Sequence, residues 1–179
     1  MKVTVPDSWN EVTISQFKEI SELDKKSKDY ALNIISILLD KDPEEIRKYD
    51  SVSANKIMRH LEWSMITPSQ EFYKQEIEID GIMYRMIENI NRFSGGEWWD
   101  MENYLLDFEN NMHFIFAMIY RPEGDKYSTV TLRQRAELFL EKGMIGEMYG
   151  SLVFFSNVAK RSMMTTQDYL ISQMSQRKL

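Results

Sequence analysis

The chain has no cysteine, which excludes disulfides, thiolate nucleophiles and cysteine-ligated zinc. Histidine is nearly as scarce, with only His60 and His113. Glu109 and His113 stand four apart on a predicted helix and share a face, but a matching second carboxylate–histidine pair is missing and the zinc-protease spacing HExxH is absent. Both imidazoles are therefore expected to be ordinary hydrogen-bonded side chains, and no metal is assigned. GxSxG, a P-loop and the Rossmann glycine pattern are absent too. No catalytic residue and no cofactor site is assigned, and the chain is expected not to be an enzyme. A hydrolase or nucleotide-binding enzyme with an unrecognised site is the alternative from that class.

Long apolar runs are also missing. No uninterrupted stretch of about 18 apolar residues occurs, and Pro6 arrives before the core of a signal peptide can develop, so a soluble protein with no membrane span is expected. With 22 basic against 28 acidic residues the net charge is -6, which argues against gripping nucleic acid with the whole surface. The C-terminus departs from this balance. Beyond Asn157, Lys160, Arg161, Arg177 and Lys178 stand against Asp168 alone. Such a tail either meets DNA phosphate or an acidic protein neighbour, or is simply solvated.

What is present suffices for a core. A chain of 179 residues at 43% hydrophobic content fits one domain over 1–179, able to bury roughly 70% of its unfolded surface. Thirteen Met, nine Phe, nine Tyr and four Trp can serve an irregular core or an adaptable contact surface. Thr13 with Gln16 forms a capping-box pattern ahead of Ile14, Phe17, Ile20 and Leu23, which predicts a helix over 14–24. Apolar residues from Tyr30 to Leu39 crowd more than one face of a second, core helix. Asp42-Pro43-Glu44-Glu45 is a well-formed start for a short helix to about Lys48. Ser53 is the predicted cap of a further helix carrying Ile57, Met58, Leu61 and Met65 on its apolar stripe.

From Gln75 to Met86 the period changes to two. Ile77 and Ile79 precede Asp80-Gly81, with Ile82, Tyr84 and Met86 beyond, so a hairpin over 75–87 is predicted, with Val3 to Val5 as a third strand. Ser94-Gly95-Gly96 reads as a flexible break within the domain. Helices are expected over 97–107, 110–120 and 132–142, the last capped by Thr131 and stopped by Gly143. A final helical region over 145–174 contains Gly146 and Gly150 and is open to division there, with a mobile tail over 175–179. The fold class is mainly α with a small antiparallel hairpin or three-stranded sheet, α+β.

Candidate contact residues come from the aromatics. Consecutive helical positions lie about 100 degrees apart, so Trp98 and Trp99 cannot share a face: one ring is core and the other a contact, unless both are buried between helical layers. Phe154-Phe155 poses the same choice. The run FIFAMIYRPEGDKY halts at Arg121-Pro122. It is either the end of a buried helix or an exposed loop presenting Tyr120, Arg121, Pro122 and Tyr127 to a partner. Glu76 and Glu78 alternate along a strand opposite its apolar face, which suits a solvated edge rather than paired-carboxylate chemistry.

The phrases VPDSWNEVTISQFKEISEL, AMIYRPEGDKY and RAELF resemble a pattern in small gene products of tailed bacteriophages, of the crAss-like and Bacteroides phage type, that belong to virion structure or tail assembly. The resemblance implies a non-enzymatic protein that works by assembly: a ring or connector subunit at the head-to-tail (portal–tail) region, found in the virion and in the host cytoplasm during assembly. Its implied partners are copies of itself and other phage structural proteins, portal or tail components. The alternative within the resemblance is a tail or baseplate assembly chaperone not retained in the mature particle.

Overall fold

The computed structural model describes residues 5–87, 89 and 92–158. It is mainly helical with a small three-stranded antiparallel sheet, an α+β fold. The helices are α1 (Ile14–Glu22), α2 (Tyr30–Leu39), α3 (Pro43–Ile46), α4 (Ser51–His60), α5 (Gly95–Leu106), α6 (Phe108–Ile119), α7 (Thr129–Lys142) and α8 over 145–158. The strands are β1 (Glu76–Ile79), β2 (Ile82–Met86) and β3 (Tyr120–Arg121).

The local chemistry of each start explains the helix bounds. Thr13 and Gln16 form the expected capping box at α1. Asp42 accepts the Glu44 amide, and Pro43 opens α3. Two predicted caps move upstream. Asp50, not Ser53, caps α4, accepting the amides of Val52 and Ser53 at 3.0 and 2.9 Å. Ser128, not Thr131, caps α7, accepting the Thr131 amide at 3.1 Å. The 94–96 stretch, read as a flexible break, is the first turn of α5: the Ser94 hydroxyl accepts the Glu97 amide while the Glu97 carboxylate accepts the Ser94 amide.

The hairpin forms as predicted. Asp80 at φ 53° and Gly81 at φ 75° both adopt the left-handed backbone of a tight two-residue turn, and Ile79 pairs with Ile82. Ile77, Ile79, Tyr84 and Met86 face the core, while Glu76 and Glu78 face solvent. The third strand corrects the expectation: β3 adds to β2 through Arg85–Arg121 and Met86–Tyr120. Val5 takes no strand conformation, and Val3 and Thr4 lie outside the described residues.

At the centre lies α6, whose residues Met112, His113 and Ile115 to Ile119 are all buried. It packs mainly on α7 and α5, with α1 on a further side. The N-terminal segment joins the α7–α8 junction through backbone hydrogen bonds, Ile14 N–H to Gly143 C=O at 3.0 Å and Ile145 N–H to Val12 C=O at 2.9 Å. Within the described residues α8 runs through Gly146 and Gly150 without a break. Side chains there would strike the backbone of Trp9 and Asn10, and of Phe72, so both glycines permit close approach of distant segments. The 145–174 expectation beyond residue 158 and the 175–179 tail lie outside the described residues.

Candidate contact surface

An α-helix ends with four carbonyls that have no partner inside it. In α6 these belong to Phe116, Ala117, Met118 and Ile119, all at 0% exposure and so out of reach of water. Each finds a donor. The Tyr120 amide bonds Phe116, Arg135 Nε bonds Ala117 at 2.7 Å, Arg121 Nε bonds Met118 at 2.7 Å, and the Ile87 amide bonds Ile119 at 2.7 Å. Two guanidiniums at the negative end of the helix dipole also suit its charge. The abrupt stop at Arg121-Pro122 is therefore the capped end of a buried helix.

This moves Tyr120 and Arg121 from the surface to the interior. Tyr120 is at 0% exposure, and its hydroxyl donates to the Lys74 carbonyl at 2.6 Å; burial pushes the phenol up to about 12. Arg121, at 8% exposure, pairs with the Glu97 carboxylate and lies over the rings of Phe93 and Tyr127 at 5.3 and 5.8 Å. Burial pushes the Glu97 carboxyl up, but hydrogen bonds from Ser94 and from Arg121 outweigh it and hold the group below its ordinary value. Arg135 repeats the device, pairing with Asp125 at 2.7 Å.

The loop that follows is fastened rather than free. Tyr127 is half-buried and donates its hydroxyl to Asp100; burial and that carboxylate together raise its pKa. Pro122 is half-buried and accepts the Asp125 amide at 3.2 Å across a turn in which Gly124 takes φ 77°. Among the expected loop contacts, only Pro122 and Tyr127 keep part of their surface exposed.

The tryptophan pair divides as the helical geometry requires. Trp98 is half-buried, its indole N–H donating to Glu102 at 2.7 Å, whereas Trp99 is 70% exposed. Leu106, seven residues on and two turns along the same face, is 86% exposed. Sequence reasoning missed it, although the i, i+7 spacing from Trp99 is visible in the sequence. Between Phe93 and Tyr120 the chain carries Glu97, Asp100, Glu102, Asp107 and Glu109 and no lysine or arginine. The outward face of α5 thus carries two exposed apolar side chains flanked by the half-buried Asp100 and Glu102, which accept from Tyr127 and Trp98, with Asp107 and Glu109 exposed beyond its end; Glu97 is buried against Arg121. Phe155 is buried and Phe154 partly exposed, the two rings meeting edge to face at 5.5 Å.

His60 pairs with Asp7 at 2.8 Å. His113 is buried beside Phe114 with its Nδ1 unpartnered, and burial, aided by Lys18, lowers its pKa to about 4. Among the described residues no group of three potential ligands is placed to hold a metal ion, and no helix is long and apolar enough to cross a membrane. Lys160, Arg161, Arg177 and Lys178 lie outside the described residues. Comparison with protein-family models, with curated proteins and with solved structures finds no match to this chain.

Proposed function

We infer that the chain is a non-enzymatic structural protein of a tailed-bacteriophage virion, a ring or connector subunit at the head-to-tail region that acts through contacts with copies of itself and with portal or tail components. The observation that carries this reading is the outward face of α5. Trp99 and Leu106 stand exposed on a helix that is itself pinned to the core through Glu97–Arg121 and Tyr127–Asp100. Large apolar side chains on a helix whose backbone is already held in place dock without a further cost of ordering the backbone, which suits an interface anchor. The phage-like phrases supply the setting.

The assembly-chaperone alternative draws on Met65 and Ile66, exposed side by side at 53% and 71%. The methionines speak less for a chaperone surface, since Met86, Met101, Met112, Met118 and Met148 are all buried. Mass spectrometry of purified particles separates the two: a fixed stoichiometry matching a connector ring supports the subunit, and absence from particles with abundance in infected cells supports the chaperone. Absence from both overturns the phage assignment.

A further inference from the structure

An exposed face with apolar anchors and acidic flanks calls for a partner of opposite composition: basic, apolar and able to follow a helix. On α5, Asp100 and Glu102 flank the Trp99–Leu106 stripe, and Asp107 follows it directly. Two nearby cations are committed elsewhere, while Arg133 of α7 faces Tyr104 on α5. Arg121 is spent on Glu97 and the Met118 carbonyl, and the Lys18 ammonium on the Asn110 carbonyl at 3.0 Å. The chain itself contains a segment of the required composition. Residues 159–179 hold Lys160, Arg161, Arg177 and Lys178 against Asp168 alone, and between the two basic ends lie Met163, Met164, Leu170, Ile171 and Met174.

We propose that the outward face of α5 receives residues 159–179 of a neighbouring copy, a head-to-tail contact in which each chain gives one basic segment and offers one acidic, apolar face. The contact rests on the subunit reading above and specifies which surfaces meet. Its two halves differ, so it is heterologous, and repetition by a rotation that closes yields a ring. Trp99 and Leu106 supply the apolar anchors, and the charge pairing sets orientation and makes association weaken with salt.

Two full-length variants test it. Trp99→Ser with Leu106→Ser removes the face, and because both side chains are exposed the fold is retained, as circular dichroism checks. Lys160→Glu, Arg161→Glu, Arg177→Glu and Lys178→Glu together reverse the sign of the segment's charge. In analytical ultracentrifugation at low salt, wild type should self-associate, each variant alone should lose that association by roughly tenfold or more, and their mixture should form a one-to-one pair and nothing larger. Association of either variant as strong as wild type overturns the contact, as does failure of the mixture to pair. A mixture that pairs while wild type stays monomeric would place the segment on its own chain and overturn the contact between copies. Particle composition decides the subunit reading independently, so the contact can fail while that reading stands.

Discussion

At Arg121 one guanidinium caps a buried helix, pairs with a buried carboxylate and lies against two rings. Removing it leaves Glu97 charged, buried and short of its partner. Arg121→Met should therefore cost about 3–5 kcal/mol in chemical denaturation, and adding Glu97→Gln should restore part of that loss rather than add to it. Tyr120→Ala combined with Arg121→Ala should unfold the chain instead of leaving a folded monomer with a blunted loop. His113 gives the pH dependence. Its folded pKa of about 4 lies below the ordinary 6.5, so the unfolded chain binds the proton more readily. The stability His113 allows is complete above pH 6.5 and drains away as the pH falls toward about 4. Denaturation midpoints measured across that window should decline for wild type and flatten for His113→Leu. None of this was readable from residue types alone. Tyr and Arg before a proline look equally apt for an interface and for a helix end, and only the burial of α6 on every side decides between them.

At the scale of elements, the sequence was most legible where one residue type has one stereochemical use. Asp80-Gly81 specified the hairpin because few pairs accept two successive positive φ angles, and Thr13-x-x-Gln16 specified the start of α1 because both halves of the capping box are present. Legibility failed where two cap residues compete nearby. Ser128 and Thr131 both suit an N-cap; the upstream one is used, and the turn it adds, residues 129–131, is exposed. Ser128→Ala should thus cost about 1 kcal/mol and Thr131→Ala only a few tenths, as thermal or urea denaturation will read. Ser94-Gly95-Gly96 misled for a related reason. Two glycines suggest slack, yet Ser94-x-x-Glu97 is itself a capping box, and the Glu97 that completes it is also the partner of Arg121. The second helix was legible in its core face: of the apolar residues expected to crowd more than one face, Ile34, Ile35 and Leu38 are buried while Tyr30, Leu32 and Leu39 are half-buried, and Leu38→Ala should cost roughly 2–5 kcal/mol.

For the molecule as a whole, the core composition was legible in outline and the candidate contact surface only by half. The Trp98-Trp99 pair could be singled out beforehand because adjacent helical positions cannot share a face, but that geometry leaves open which ring faces outward, or whether both are buried, and Leu106 is not among the expected contacts. The third strand escaped because β3 has only two residues, too few to show a period, and pairs with a hairpin more than thirty residues earlier in the sequence. That short strand brings about a consequence of its own. Helix ends ordinarily fray first and exchange their amide protons fastest, yet here the end of α6 is bound simultaneously by β3, by the residue following β2 and by α7. It cannot open alone. Its release requires the sheet and α7 to let go together, so the amides of Ile87 and Tyr120 should exchange with solvent only through the same rare opening that unfolds the whole core. Native-state hydrogen exchange should therefore find, at the terminus of a helix, some of the slowest protons in the protein.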